Sequence, residues 1–364
     1  MGGAGVALAQ DGFAGANNPA QSAFAGNRYD VGVDLFMPER EMERTHSPFG
    51  PFGNVSEKSG SESFLIPEFG YNNVINDQLS MGLTVYGNGG MNTDYNGDQR
   101  ILGTTSGDLG VDLMQLIIAP TLAFKLNAQH SVGISPLIVY QTFKAEGLQG
   151  FGIQNQGKDS SSGLGVRLGY LGKLTDQLSV GASYSPKINM SRFKKYEGLF
   201  AEQGDFDIPG NYALGMAFQL TPALQVALDY QRIEYGDVRS IANPASGTAP
   251  LGANDGSGFG WSDINVVKLG VQWQANDIWT LRAGYNKGDN PINTQNVTFN
   301  ILAPGVIEEH LTLGATMKLD AQSEVSASYM HAFSNEVSGP SNFGGTETIK
   351  MKQNSLGVQY SRQF

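Results

Sequence analysis

The stretch HLTLGATMKLDA, residues 310–321, alternates apolar and polar residues and then enters a short polar turn. Leu311 and Leu313 fall on one face of an extended strand, and Thr312 and Lys318 fall on the other, because successive strand side chains point to opposite faces. A membrane barrel needs strands of about ten residues with an apolar face toward lipid and a polar face toward the lumen. This stretch therefore predicts a transmembrane β-strand.

The same alternation recurs on the N-terminal side of this stretch. Residues 224–231 and 267–273 each separate an apolar face from a polar one. Short polar turns join segments of this kind, at Asn76-Asp77, Asn127-Ala128, Thr175-Asp176, Thr221-Pro222, Asn276-Asp277 and Asp320-Ala321. Tight turns at one end and long loops at the other are typical of outer-membrane barrels.

The alternating segments predict an all-β fold, a 14-stranded antiparallel transmembrane β-barrel. The strands are expected near 27–37, 62–73, 79–88, 111–126, 131–144, 163–174, 178–190, 210–220, 224–236, 262–274, 278–287, 307–319, 323–334 and 348–363. Because the number is even, both termini and the short turns are expected on the periplasmic side of a bacterial outer membrane. The longer loops then face outward, near 38–61, 89–110, 145–162, 191–209, 237–261, 288–306 and 335–347.

Composition supports a single large β unit and excludes several classes. The apolar runs are only a few residues long, so a membrane helix of about 20 apolar residues is excluded. A net charge of −11 argues against a nucleic-acid partner, because phosphate binding draws on clustered Lys and Arg. The chain has no Cys and therefore no thiol chemistry. It also begins without a charged region followed by an apolar one, so we expect any export signal to precede Met1.

A soluble β-sandwich or propeller is the alternative fold, since strands alternate there as well. A sandwich would have short connections at both ends, and a propeller would repeat at the length of a blade. The sequence shows neither pattern.

The first 26 residues, MGGAGVALAQDGFAGANNPAQSAFAG, do not alternate and are rich in Gly and Ala. A barrel of fourteen strands would leak unless something occupied its lumen. We therefore predict that residues 1–26 form a hatch, or plug, inside a barrel formed by residues 27–364. A disordered tail is the alternative, although the low charge of this segment disfavours it.

Several motifs along the chain resemble the FadL family of outer-membrane long-chain fatty acid transporters, which also includes aromatic-hydrocarbon uptake channels. The N-terminal match is Gly2-Gly3-Ala4-Gly5, followed by Asp11 and by Asn18, Pro19 and Ala20. Further matches are residues 115–120, 281–286, 290–292, 299–304 and 310–314 and the aromatic end of the last strand. They occur in the family's order over the whole chain.

The resemblance implies a route for a hydrophobic substrate. Outer loops capture it, a site inside the barrel binds it, and it leaves sideways through the wall after the hatch shifts. A kink in the third strand makes the opening, and glycines permit such a kink. Gly82, Gly87, Gly89 and Gly90 are the candidates, although an ordinary strand-to-loop turn would explain the last three equally well.

The resemblance also implies two groups of ligand-binding residues. The outer loops carry an apolar set that would form the capture groove or pack on itself: Leu148, Phe151, Ile153, Leu199, Phe200, Phe206 and Ile208. Inward residues that would meet a carboxylate head group, or pair with inward acids such as Asp229, are Arg167, Lys268, Arg282, His310 and Lys318.

The sequence contains no signature of an enzyme, a metal site or a cofactor site. The four His lack metal-ligand spacing, and residues 92–98 match a calcium loop only in part, because Gly103 stands where the chelating Glu belongs. We expect a monomeric uptake channel in contact with outer-membrane lipid. Its substrate is a fatty acid, or alternatively an aromatic hydrocarbon or alkane. A general diffusion porin and a surface adhesin are further alternatives.

Overall fold

The structure is a computed structural model and describes residues 1–46, 48, 53–97, 99–104 and 107–364. Its strands are β1 Arg28–Thr45, β2 Val55–Lys58, β3 Phe64–Val74, β4 Leu79–Asn96, β5 Asp108–Lys125, β6 His130–Glu146, β7 Asp159–Lys173, β8 Leu178–Ser185, β9 Gly210–Thr221, β10 Leu224–Glu234, β11 Ile264–Gln274, β12 Trp279–Gly288, β13 Glu309–Lys318, β14 Ser323–Pro340 and β15 Thr346–Gln363. All neighbouring strands pair antiparallel.

The barrel closes between its first and last strands. β1 pairs with β15 over its whole length, from Arg28 opposite Gln363 to Thr45 opposite Thr346. Among the residues that the structure describes, β2 pairs only with residues 41–44 of β1, and it lies outside the ring. The other fourteen strands form one closed antiparallel barrel, which confirms the predicted fold and excludes the sandwich and the propeller.

The apolar faces of the strands point outward. Leu311 and Leu313, the residues that set the alternation, are 42% and 52% exposed. Met216 and Leu269 are exposed in the same way, whereas the inward Asp229 is buried. This is the arrangement of a barrel wall in lipid, because the apolar face of a soluble sheet would be covered.

The short turns have the polar caps that their sequences predict. The Asn76 Oδ1 accepts hydrogen bonds from the backbone N–H groups of Gln78 and Leu79, at 3.0 and 2.9 Å. Asn127, Asn276 and Asp320, together with Thr175, do the same in their own turns. A side-chain oxygen that accepts from the residues after it mimics a backbone turn.

Several strands are longer than predicted. β1 was expected to end at residue 37 and β4 at residue 88, yet they continue to Thr45 and Asn96. β14 and β15 also extend beyond the apolar band. The extensions carry charged residues, such as Glu41 and Glu336, which lie in the predicted loops 38–61 and 335–347. Such charges would be costly at the middle of a bilayer and cost little near its interfaces.

A cap of folded loops, called the outer cap, covers the end of the barrel opposite the short turns. It contains short helical segments at Gln99–Leu102, Gln149–Phe151, Lys194–Tyr196, Ala201–Gly204, Tyr235–Asp237, Arg239–Ala242, Thr294–Asn296 and Phe299–Ile301. The N-terminal segment has two more, at Ala14–Ala16 and Pro19–Ala23. Within the described ranges, no helix is long and apolar enough to cross a membrane.

Candidate functional site

The barrel wall has a gap between β3 and β4. The two strands pair only from Phe69 opposite Val85 to Val74 opposite Ser80. The outer half of β3, from Phe64 to Glu68, pairs with β1 on its other side but has no partner on β4. Unpaired backbone is costly in lipid, so a gap is tolerated where it lines a cavity.

β4 bends at the same height. Gly87 lies opposite Leu116 and Gly89 lies opposite Gln115, so Asn88 is an extra residue that bulges from the ladder. Gly89 has φ of 137°, a conformation that residues with a side chain rarely adopt. The Asn88 side-chain amide turns inward and donates to the Gln115 Oε1 at 3.0 Å. The glycine-rich sequence therefore redirects β4 away from β3.

A cavity of about 810 Å³ opens at this gap. Its outer mouth is formed by residues that face the lipid, among them Leu65 and Met114, which are 72% and 57% exposed. Its inner wall includes Phe36 and Met351 from the inward faces of β1 and β15. The cavity therefore connects the lumen with the outside of the barrel through the wall. Its size is that of a small-molecule site.

The roof of the cavity is the loop that contains residues 302–305. The outer end of β4 holds this loop, since the Thr93 hydroxyl donates to the Leu302 carbonyl and the Tyr95 hydroxyl donates to the Ile301 carbonyl, both at 2.9 Å. The Trp261 ring also lines the cavity, and its Nε1–H donates to the Asn300 side chain at 2.6 Å. Two segments distant in sequence thus complete the site.

Of the glycines predicted for the wall opening, Gly87, Gly89 and Gly90 line the cavity. Gly82 lies elsewhere, in the part of β4 that pairs with both β3 and β5. A Cβ at Gly82 would stand 3.2 Å from the Ser22 hydroxyl. Gly82 thus makes room for the N-terminal segment.

The apolar residues predicted for a capture groove are not an exposed surface. Leu148, Leu199, Phe200 and Phe206 are buried in the core of the outer cap, and Phe151 and Ile153 pack against that core. Ile208 is buried in a separate cluster beside β5 and β6. The assumption that they are exposed was wrong, and the structure favours the alternative that they pack on one another. Burial of apolar area stabilises the cap.

The loop before β9 also contains a carboxyl group with a perturbed pKa. Burial, together with the nearby Asp207 carboxylate, raises the pKa of Asp205 from 3.8 to about 7. Between the two pKa values, Asp205 keeps its proton in the folded state and loses it in the unfolded state. The folded cap is therefore most stabilised by this group at low pH, and the advantage is lost between about pH 4 and pH 7.

The basic residues predicted for the lumen lie outside the gap cavity. Arg167 donates to the Gly15 carbonyl at 2.9 Å and to the Ala16 carbonyl, so it binds the N-terminal segment. Lys268 donates to the Gln231 side chain at 2.7 Å. Lys318 is exposed at the rim with the short turns. These contacts account for Arg167 and Lys268 as parts of the fold.

Arg282 and His310 are also engaged by neighbouring side chains. Arg282 donates to Gln272 at 2.7 Å and to Thr316 at 2.6 Å, and it lines a second, polar cavity of about 520 Å³ near the turn end of the barrel. The His310 ring contacts Asn286 at 2.8 Å through Nδ1 and the Gln353 amide at 3.2 Å through Nε2. Since Gln353 lines the gap cavity, His310 lies one residue away from that site.

The predicted hatch residues Asn18, Pro19 and Ala20 are buried inside the barrel. The Asn18 side chain donates to the Val6 and Tyr170 carbonyls, both at 2.8 Å, and its Oδ1 accepts from the Ala20 N–H. The Ala20 carbonyl in turn accepts from the Ser131 hydroxyl at 2.9 Å. The motif therefore joins two parts of the N-terminal segment to the inner faces of β6 and β7.

Inward carboxylates hold other parts of the N-terminal segment. The Asp229 Oδ2 accepts from the Gly5 and Val6 N–H groups, at 2.7 and 2.9 Å. Asp30 accepts from the Gly12 N–H at 2.8 Å and pairs with Arg28 at 2.6 Å. Hydrogen bonds to charged groups are among the stronger ones in proteins. The segment is thus anchored on opposite sides of the barrel.

The sequence patterns did not identify Arg40 and Trp261, which also line the cavity. Residues 38–45 were assigned to a loop, although Glu39, Glu41 and Glu43 alternate with Arg40 and Arg44. This period-two pattern was the available signal for an extended strand. Trp261 carried no local signal, because its place in the site depends on a contact with a distant loop.

Asp98 of the partial calcium-loop match at residues 92–98 lies outside the described residues. Among the residues that the structure does describe, no group of three His, Cys, Asp or Glu side chains comes together as a metal site would require.

Comparison with known proteins adds a family match. A family model described as outer membrane protein transport protein (OMPP1/FadL/TodX) matches residues 1–364. A long-chain fatty acid transport protein from Escherichia coli strain K12 is 25% identical over an alignment of 391 residues. The alignment covers 93% of this chain and 86% of that protein. One from Salmonella typhi is 26% identical over 311 residues, which cover 74% and 70%.

Solved structures share the fold. The toluene transporter TodX from Pseudomonas putida superimposes with a TM-score of 0.74 at 20% identity, over 100% of this chain and 96% of that one. A FadL homologue from Pseudomonas aeruginosa gives a TM-score of 0.75 at 17% identity, over 99% and 96%. At such low identity the likeness concerns the fold alone.

Proposed function

The chain belongs to the outer-membrane transport protein family OMPP1/FadL/TodX, and from this premise we propose that it takes up long-chain fatty acids through the gap in its wall. Proteins of this family are transport channels, in agreement with the sequence-based exclusion of an enzyme. In the proposed route, the substrate enters the barrel through the outer cap, binds in the gap cavity and moves sideways into the lipid.

The observation that carries the proposal is the cavity at the gap. It is lined mainly by apolar residues, and its mouth lies among Leu65, Met114 and Tyr140 on the lipid-facing surface. An acyl chain gains about 0.8 kcal/mol for each CH₂ group that is removed from water. A water-filled pore would therefore oppose its passage, whereas a lateral exit keeps the chain in apolar surroundings.

Fatty acids are favoured over aromatic hydrocarbons for two reasons. The E. coli and S. typhi relatives that cover most of the chain are long-chain fatty acid transport proteins. The gap cavity also contains a cationic side chain, Arg40, which a hydrocarbon would not need. Uptake of a monoaromatic compound is the second candidate, because the TodX structure of the same fold belongs to a toluene transporter.

In this proposal the N-terminal segment is the hatch, residues 27–364 are the barrel, and both termini face the periplasm. The contacts of Asn18 and Asp229 with this segment support a plug that blocks free diffusion, which argues against a general porin. The cavity, the gap and the plug all belong to one chain, so a monomer is sufficient for transport.

A reversible lock across the gap tests the proposal. A Cβ at Gly87 would lie 3.2 Å from the Ile66 Cγ2. A Cys sulfur at position 66 can take the place of that Cγ2, so the pair Ile66→Cys and Gly87→Cys is close enough to form a disulfide. Gly87 is not among the residues with positive φ and therefore accepts a side chain. The protein has no other Cys to interfere.

We expect oxidation of this pair to lower uptake of labelled palmitate by at least about tenfold in cells that lack their own transporter, and a reductant to restore it. The matched control is Leu228→Cys with Leu269→Cys, a lipid-facing pair in register on the far side of the barrel. Equal uptake by the oxidised and reduced forms of the gap pair would refute lateral exit at this place.

A further inference from the structure

The gap cavity contains a buried cation with an incomplete set of partners. Arg40 is 5% exposed and lines the cavity. Its Nη2 donates to the Ser59 hydroxyl at 3.5 Å and to the Ser61 carbonyl. Its guanidinium carbon lies 5.9 Å from the centre of the Phe64 ring. The partners are neutral oxygens and an aromatic ring.

Within the described part of the chain, the Arg40 Nε has no hydrogen-bond partner and no acid forms an ion pair with the side chain. Two of the neighbouring acids belong to the other face of β1, and a third, Glu62, interacts with Arg40 through its charge but is exposed to solvent and forms no ion pair with it. Glu39 pairs with Lys352 at 3.1 Å and Glu41 pairs with Lys58 at 2.8 Å. Because strand side chains alternate, neither can turn toward the cavity without breaking the strand.

Arg44 shows what a paired arginine looks like on the same face. It lies four residues further along β1, is fully buried, and forms an ion pair with the buried Glu347. Buried charges in proteins are almost always paired, since a lone charge loses its hydration without compensation. Arg40 thus lacks an anionic partner that Arg44 has.

We propose that the carboxylate of an acyl ligand is this partner, so that Arg40 binds the head group and selects for fatty acids over their neutral analogues. The inference rests on the proposed function and names its substrate determinant. A carboxylate suits the guanidinium because it can accept more than one charge-assisted N–H bond in one plane.

The position of Arg40 also orients the ligand. β1 passes from Phe36, beside the gap, to Arg40, and four strand residues span roughly 13 Å. Phe36 and Phe64 line the cavity between Arg40 and the mouth at Ile66. A ligand whose head group lies at Arg40 therefore has its tail toward the lipid, which is the order needed for lateral exit with the tail first.

Binding to the purified full chain in lipid nanodiscs tests the inference. The probes are palmitate and methyl palmitate, which differ in charge but share the tail. The variants are Arg40→Met, which removes the charge at similar length, and Arg40→Lys, which keeps it. Arg232→Met is the control, because Arg232 pairs with Asp263 at 2.8 Å in a distant part of the barrel.

We expect Arg40→Met to weaken palmitate binding by at least about tenfold and to change methyl palmitate binding by less than about twofold. Arg40→Lys should retain most of the preference for palmitate, and Arg232→Met should bind both probes as the parent does. Equal weakening of both probes by Arg40→Met, or no weakening of either, would overturn the assignment.

The parent protein provides a test that does not depend on folding of a variant. A cationic probe with the same tail, hexadecyltrimethylammonium, should bind at least about tenfold more weakly than palmitate. If the cation and methyl palmitate bind as tightly as palmitate, the head-group assignment fails while the uptake proposal stands. If no probe binds, both fail.

Discussion

Replacement of Arg44 by Met should release the outer cap from the barrel. The Arg44 Nε donates to the Glu347 Oε1 at 2.7 Å, and its Nη2 donates to the Ile101 carbonyl at 2.7 Å. The other Glu347 oxygen accepts from the Thr298 hydroxyl. Arg44 and Glu347 have no exposed side-chain surface. This network joins β1 and β15 to two cap loops.

The size of the effect follows from the carboxylate that remains. In the Arg44→Met variant Glu347 stays buried without a cation, and loss of one partner of a buried pair costs about 3–5 kcal/mol. At about 1.4 kcal/mol for each factor of ten, this raises the opening equilibrium of the cap by more than about a hundredfold. The double variant Arg44→Met with Glu347→Leu should recover most of the loss, because apolar residues often replace a buried pair without cost.

Hydrogen exchange of residues 294–302 in the folded protein measures this opening locally. Lys352→Met is the control, since Lys352 and Glu39 are 45% and 37% exposed and such a pair contributes about 0–1 kcal/mol. Exchange in Arg44→Met that matches Lys352→Met, or a double variant no better protected than Arg44→Met, would refute the reasoning.

Two further predictions concern the plug and the orientation of the barrel. Asn18→Ala removes the donors to the Val6 and Tyr170 carbonyls. Residues 1–26 should therefore lose about 1–3 kcal/mol of local stability and exchange their amide hydrogens faster than in the parent. Unchanged protection from exchange would show that Asn18 does not hold the plug. If the short turns are periplasmic, Asp255→Cys in a long loop should react with a membrane-impermeant maleimide in intact cells, and Ala321→Cys should react only after the outer membrane is opened. The reverse order of labelling would show that the barrel is inserted the other way.

The sequence by itself determined the wall of the barrel. Alternation at residues 310–319 specifies a strand and its outward face without knowledge of any neighbour, because side chains on a strand repeat every two residues. The turns are equally local, since Asn76 caps the residues that follow it directly. The motif at residues 18–20 also marked the N-terminal segment, which has many contacts inside the barrel.

Local patterns were insufficient where a residue's role depends on distant partners. Phe151 was expected in a ligand groove, but its ring packs against Phe299, 6.1 Å away and far along the chain. Arg40 and Arg44 occupy the same face of one strand, yet only Arg44 meets an acid, Glu347, from the other end of the sequence. The assembled cap therefore determines which apolar side chains are buried and which charged side chains have an ionic partner.

The gap in the wall is also a property of the tertiary structure. The glycines at 87, 89 and 90 permit a bend, but they would permit an ordinary turn as well. The opening exists because β4 continues to pair with β5 after a bulge that shifts its register by one residue, while its pairing with β3 ends at Phe69. The residue pattern within one strand determines which side chains face outward. Where two strands stop pairing depends on both of them, so it is determined only in the folded barrel.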